Sequence, residues 1–268
     1  MPLDLAHRRE TRARPDSAAG SPGTVLQWLL SAWCWAVLVG VTLAQYGRGL
    51  LVAPFTGPRI WGPVLQAWAR GLLALGGIDL QVEAPPRIDP PVVFVANHQS
   101  AFDIAVMAAL VPPPVVFVAR VDLFRVPIVG GVLRRGGHIA VEREERADRM
   151  QVVGRILERL EAGTSVVVFA EGTRSASGAV HRLRAGAFLA ARQAGRPLVP
   201  VALAGTRHVV AKGRRLLRPS RMAAAFLPPV EVTEEVASPR GRAALQRRLA
   251  ETVRRLEPGT GPRWGSGA

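Results

Sequence analysis

Acidic residues and cysteine are scarce in this sequence. Twenty Asp and Glu face 35 Lys and Arg, leaving a formal net charge of +15 over 268 residues. Such a balance argues against a mixed-charge soluble surface and for attraction to something anionic. The single cysteine, Cys34, excludes an intrachain disulfide and a cysteine-built zinc site. Its apolar neighbours read as packing around a small buried thiol rather than as a catalytic site. There is no H-E-x-x-H pattern, so no metal is assigned, and no cofactor is called for. There is also no G-x-S-x-G elbow to carry a serine nucleophile. Charged residues are few as well, at 21% against 49% apolar, which is too greasy for a disordered polyelectrolyte.

The apolar residues are concentrated in two places. Residues 1–23 are polar, with Arg8, Arg9, Arg12 and Arg14 among acids, Pro, Ser and Gly, and read as a mobile tail. No charge occurs from Ser17 to Gly47, and Thr24–Gln45 is an apolar run of 22 residues. As a helix that run is about 33 Å long, enough to cross a bilayer. A secretory signal peptide is the competing reading, but Trp28, Trp33 and Trp35 suit an interfacial anchor better. Ile60–Leu75 is amphipathic, with Trp61, Leu65, Trp68 and Leu72 at helical spacing. The segment 24–78 therefore reads as membrane-associated helices, either a hairpin dipped into one leaflet or one span with a surface helix.

After Pro90 the texture changes. Short β-branched runs at 92–96, 115–119, 138–141, 165–170 and 198–203 alternate with helical stretches near 102–110, 123–134, 145–162 and 185–194. A further strand is expected near 222–232 and a last amphipathic helix over 240–256. This alternation predicts an α/β domain over 79–257, with a mostly parallel central sheet flanked by helices. Residues 258–268 read as a loose tail.

Each polar cluster of interest follows an apolar strand directly, and in open parallel sheets ligands gather at strand carboxyl ends. In Asn97-His98-Gln99-Ser100-Ala101-Phe102-Asp103, a loop entering a helix brings His98 and Asp103 within reach. An imidazole oriented by a carboxylate is what a general base needs. The alternative is that Ser100 and Asp103 cap a helix and His98 is an ordinary loop residue. In Phe169-Ala170-Glu171-Gly172-Thr173-Arg174-Ser175, Gly172 permits an unusual turn and Arg174 offers a planar fork for phosphate or carboxylate. Glu171 is suited to orienting Arg174 or binding hydroxyls. The alternative is a turn with one surface ion pair.

The order of these pieces resembles the 1-acylglycerol-3-phosphate acyltransferase family. His98-x4-Asp103 matches that family's N-H-x-S-x-x-D motif. Gly137-His-Ile-Ala-Val-Glu-Arg143 looks like its second motif, and Phe169–Ser175 is similar to F-P-E-G-T-R-S, with Ala170 where proline is usual. Val199-Pro200-Val is similar to the fourth motif, and Leu183–Phe188 fits the stretch between the third and fourth. The resemblance covers roughly 90–235. It implies a membrane-bound enzyme that moves an acyl group from acyl-CoA or acyl-carrier protein to the sn-2 hydroxyl of 1-acylglycerol-3-phosphate. It implies His98 and Asp103 as the catalytic pair, and Arg143, Glu171, Gly172, Thr173 and Arg174 as the acceptor site. A bacterial-type inner membrane, at its cytoplasmic face, is the expected location.

Two other readings compete. Another lysolipid acceptor, such as a lyso-ornithine lipid, keeps the chemistry and changes the headgroup. Nucleic-acid binding is suggested by six cations between Arg207 and Arg221 without an acid. That run has no Phe, Tyr or Trp for base stacking, and an anionic membrane surface accounts for the same charge.

Overall fold

The computed structural model describes residues 25–83, 88–142, 146–210, 213 and 216–262. The apolar start forms one long helix, α1 (Val25–Thr56), along which α2 (Trp61–Leu75) folds back. The hairpin is antiparallel, because its contacts fall along α1 as they rise along α2. The Trp61 ring covers Gly49, where a β-carbon would stand 2.7 Å from it. Trp68 Nε1 donates to Thr42 Oγ1 at 3.0 Å, Gly71 lies against Val41, and Trp33 Nε1 donates to the Leu75 carbonyl at 3.0 Å. α1 leaves Trp28, Leu29, Trp33, Val39, Leu43, Leu51 and Phe55 exposed. α2 also packs on the helix that follows the candidate base.

The rest of the chain runs β1 (Asp79–Glu83), β2 (Val93–Ala96), α3 (Asp103–Leu110), β3 (Val115–Arg120), α4 (Val121–Arg125), α5 (Val129–Arg135), β4 (Ile139–Val141) and α6 (Arg146–Glu161). It continues through β5 (Ser165–Phe169), α7 (Gly186–Gln193), β6 (Leu198–Ala204), α8 (Thr206–Val209), β7 (Ser220–Phe226), α9 (Glu234–Ala237), α10 (Pro239–Leu256) and β8 (Gly261–Pro262). The sheet order is β1-β7-β6-β2-β5-β3-β4, with β8 on β7. Strands β4, β3, β5, β2 and β6 are mutually parallel. β7 is antiparallel to β6, and β1 is parallel to β7. The mostly parallel sheet flanked by helices is the architecture read from the alternating pattern.

β2 lies at the centre, every residue buried, with Val95 opposite Val168 on one side and Pro200 on the other. Its side chains alternate between two cores, as the period of a strand requires. Val93 and Val95 meet α6, α7 and α10 through Val153, Ile156, Leu160, Phe188, Leu245 and Leu249. Phe94 and Ala96 meet α3, with Val106 and Met107, and beyond it Leu72 of α2 and Val37 of α1. Each fully buried Leu, Ile or Phe contributes roughly 1.5–3 kcal/mol. The hairpin thus lies on one face of the sheet and α10 on the other.

Four details differ from the sequence reading. β1 lies where no strand is expected, because Asp79, Gln81 and Glu83 give an edge strand a polar texture. The helix expected over 123–134 is broken, since Pro127 lacks an N–H and disfavours a helical Val126. Met150 shares helical spacing with Val153, Leu157 and Leu160, which predicts one apolar stripe on α6, yet it is 60% exposed, and Ile156 is buried in that core. Gly261 and Pro262 pair with Arg221 and Ser220 of β7, so the chain beyond Pro258 is not wholly loose. Lys212, Arg214 and Arg215 of the basic run lie outside the described residues, as does Arg143.

Candidate active site

The loop after β2 is shaped by side chains that replace missing ladder bonds. Asn97 is buried just past the strand; its Nδ2 donates to the Leu203 carbonyl at 2.9 Å, and Leu203 N–H donates back to Oδ1 at 2.7 Å. This extends the β2–β6 pairing by one step and frees His98 to turn away. Asp103, the first residue of α3, is wholly buried. Its Oδ2 accepts from His98 Nδ1 at 2.7 Å, Gln99 N–H at 2.7 Å and Ser100 N–H at 2.9 Å. An ionised carboxylate only accepts, so in the neutral imidazole Nδ1 carries the proton and Nε2 has the lone pair. The His98 ring stacks on Phe169 of β5, with centroids 4.3 Å apart and planes 19° apart. Two contacts therefore fix the ring, one in its plane and one across its face, while 17% of the side chain stays open to solvent.

The start of α3 shows what Ser100 and Asp103 hold. Phe102 stands at the N-cap of α3 and makes no side-chain cap bond. Ser100 Oγ accepts from Phe102 N–H at 3.2 Å and donates to the Val210 carbonyl at 2.8 Å. Asp103 thus shapes the loop, while Ser100 joins the helix start to Val210.

Glu171 follows β5 and stands beside this loop. It is 4% exposed, and each carboxylate oxygen takes a backbone donor: His98 N–H at 2.8 Å on Oε1 and His181 N–H at 2.8 Å on Oε2. The His181 ring adds Nδ1 at 3.3 Å from Oε2. Burial pushes the Glu171 carboxyl above its usual range, and the two N–H bonds oppose that. Glu171 thus ties the loop of His98 to the loop that returns toward α7. A third tie is Ser175 N–H donating to the His98 carbonyl at 2.7 Å.

Gly172 has φ +70°, and a β-carbon on it would stand 2.6 Å from Arg184 Nε. The glycine is needed both for its backbone and for the guanidinium packed against it. Arg184 N–H also donates to the Ala170 carbonyl at 2.9 Å. Thr173 and Arg174 are half-buried in the same loop. The structure thus brings His98, Asp103, Glu171, Gly172, Thr173 and Arg174 to the carboxyl ends of β2 and β5. Phe169, His181 and Arg184 also stand here and were not singled out from the sequence. Phe169 and Arg184 lie inside the motif stretches quoted above, but nothing in residue type alone places a ring under His98. Among the described residues, no group of three or more His, Cys, Asp and Glu converges as a metal site requires.

A family model described as Acyltransferase matches residues 79–204. A chloroplastic 1-acyl-sn-glycerol-3-phosphate acyltransferase of Brassica napus is 28% identical over 214 residues, covering 75% of this chain and 61% of that one. The chloroplastic enzyme of that name in Arabidopsis thaliana is 33% identical over 211 residues, covering 75% and 59%. The protein of that name in Salmonella typhimurium is 32% identical over 143 residues, covering 53% and 58%. This chain thus spans less than two thirds of the length of each. The crystal structure of the 1-acyl-sn-glycerophosphate acyltransferase of Thermotoga maritima is similar in fold, with a TM-score of 0.76. The match has 23% identity and covers 90% of this chain and 99% of that one.

Proposed function

We propose, from the match of residues 79–204 to the acyltransferase family model, that this chain acylates the sn-2 hydroxyl of 1-acylglycerol-3-phosphate. The donor is an acyl thioester, acyl-CoA or acyl-carrier protein, and the product is phosphatidic acid. The observation that carries this reading is the 2.7 Å contact between His98 Nδ1 and Asp103 Oδ2 at the end of the central strand. It leaves Nε2 as the acceptor for the hydroxyl proton. The hydroxyl oxygen attacks the thioester carbonyl carbon, the C–S bond breaks, and the thiolate recovers the proton from Nε2. Asp103 stabilises the imidazolium in between. No acyl-enzyme is required.

Thr173 and Arg174, beside Gly172, form the acceptor side, with Arg174 matched to a phosphate monoester and Arg143 as a second cation. Glu171 acts by holding the His98 loop. The exposed tryptophans and leucines of α1 support contact with a lipid interface, and the net charge of +15 supports attraction to anionic headgroups. The site then works at a bacterial-type inner membrane, at its cytoplasmic face. The test is a matrix assay of purified full-length protein in detergent, crossing acyl-CoA and acyl-carrier protein with several lysolipids. The proposal expects 1-acylglycerol-3-phosphate to be the best acceptor. Preference for a phosphate-free acceptor such as lyso-ornithine lipid overturns that assignment.

A further inference from the structure

Two loops meet at the proposed base, and both are also held from behind by a residue far away in sequence. Glu257 lies directly after α10, outside the segment that matches the family. Its carboxylate is 22% exposed and gathers three donors. Gln99 Nε2 reaches Oε1 at 3.3 Å, Arg207 Nη1 pairs with the same oxygen, and Thr260 Oγ1 lies 3.2 Å from Oε2. Burial raises the Glu257 carboxyl, but the bonds from Arg207, Gln99 and Thr260 outweigh it and leave the group below its usual range.

Each of the first two donors leads to a different loop. Gln99 is completely buried and directly follows His98, and its own N–H donates to Asp103 Oδ2 at 2.7 Å. Its side chain also reaches the Gly178 carbonyl, at 3.4 Å. Its Oε1 has no partner among the described residues, so the amide is oriented wholly through Nε2. Arg207 sits in α8 and lies against Gly178, which has φ +83°; a β-carbon there would stand 2.5 Å from Arg207 Nη1. Gly178 belongs to the same loop as Gly172, Arg174 and His181. One carboxylate therefore fixes the backbone next to the base and the middle of the loop beside the acceptor side. Without Glu257 the buried Gln99 amide keeps only its 3.4 Å contact with the Gly178 carbonyl, so the loop of His98 has reason to shift.

We propose that Glu257 is a positioning residue for acyl transfer: through Gln99 it sets the loop that presents His98, and through Arg207 it clamps the loop after β5 at Gly178. This rests on the acyltransferase reading given above. A displacement of about 1 Å at a base costs up to roughly 100-fold in rate, which sets the scale of the effect.

The experiment uses full-length protein in detergent, assayed well below each variant's melting temperature. Glu257→Ala is expected to lower kcat by about 10–100-fold with little change in KM for the acyl donor. Gln99→Met, of similar volume, is expected to lose a comparable factor. The double variant is expected to lose no more than Glu257→Ala alone, since that variant already breaks the link to Gln99. Glu257→Gln keeps an acceptor oxygen for Gln99 and is expected to recover much of kcat. A wild-type kcat in Glu257→Ala, or fully additive losses in the double variant, overturns the proposal. If Glu257→Ala does not fold, Glu257→Asp takes its place; it withdraws the carboxylate by one methylene and is held to the same outcomes. A second readout needs no turnover, so it separates failure of this proposal from failure of the acyltransferase reading. Diethyl pyrocarbonate modification of His98, followed by peptide mass, is expected to run several-fold faster in Glu257→Ala or its replacement. An unchanged rate overturns the positioning role whether or not the wild type transfers acyl groups.

Discussion

Replacing Asp103 by Asn removes one charge and almost no volume. The carboxylate is wholly buried, and Oδ2 serves His98, Gln99 and Ser100, while Oδ1 is buried with no partner among the described residues. An asparagine carbonyl can take the place of Oδ2, leaving its NH₂ where Oδ1 stood. The two backbone bonds then survive in weaker form, and the loop keeps its shape. What disappears is the charge beside the ring when it becomes an imidazolium. At 2.7 Å and an effective dielectric of about 20, a unit charge pair is worth roughly 6 kcal/mol. His98 is partly open to water, so about half of that, near 3 kcal/mol, is a reasonable floor; it corresponds to roughly 10² in rate. About 10⁴ is the ceiling, the scale known for such substitutions in oriented His–carboxylate pairs. The assay is kcat of the purified variant beside its thermal unfolding curve. A kcat within about threefold of wild type, with the fold intact, would refute the reasoning. Asp103→Ala is the poorer probe, because it leaves two buried N–H groups without an acceptor at about 1–3 kcal/mol each.

Two further outcomes follow from other contacts. Glu171→Gln offers one acceptor where His98 N–H and His181 N–H need two; stability should fall by about 1–3 kcal/mol and kcat should drop with it, and an unchanged melting curve and kcat would contradict this. His138 is neutral in the fold, its Nδ1 accepting from Phe117 N–H at 2.9 Å, and burial together with Arg159 pushes it down to about 4. Between that value and the unfolded value of about 6.5 the unfolded chain binds more protons, so stability falls as pH drops through this window, by up to roughly 3 kcal/mol. His138→Asn keeps an acceptor and should flatten that slope in melting temperature against pH; equal slopes would count against it.

Much of this architecture is legible in the residues. The runs at 92–96, 165–170 and 198–203 become the three central strands, because fully buried parallel strands are nearly continuous apolar segments. Edge elements are harder to read: β1 carries three polar residues in five, and the short β8 pairs only at Gly261 and Pro262. At the site, the spacing from His98 to Asp103 announces their contact. The role of Glu171 does not follow from its neighbours in sequence, since its partners are backbone N–H groups 73 and 10 residues away. The stack of His98 on Phe169 likewise depends on β2 and β5 being adjacent, with Ala96 opposite Phe169. Long-range placement of this kind is set by the sheet order rather than by local pattern.

The central claim is that His98 takes the proton from the acceptor hydroxyl as acyl transfer proceeds. The most direct measurement compares wild-type protein with His98→Ala in detergent, following thiol release and phosphatidic acid together from an acyl thioester and 1-acylglycerol-3-phosphate. The account predicts equal amounts of the two products from the wild type, and a kcat lower by about 10²–10⁴ in a folded His98→Ala. Near-normal turnover by His98→Ala, or no transfer by the wild type with either donor, would contradict it.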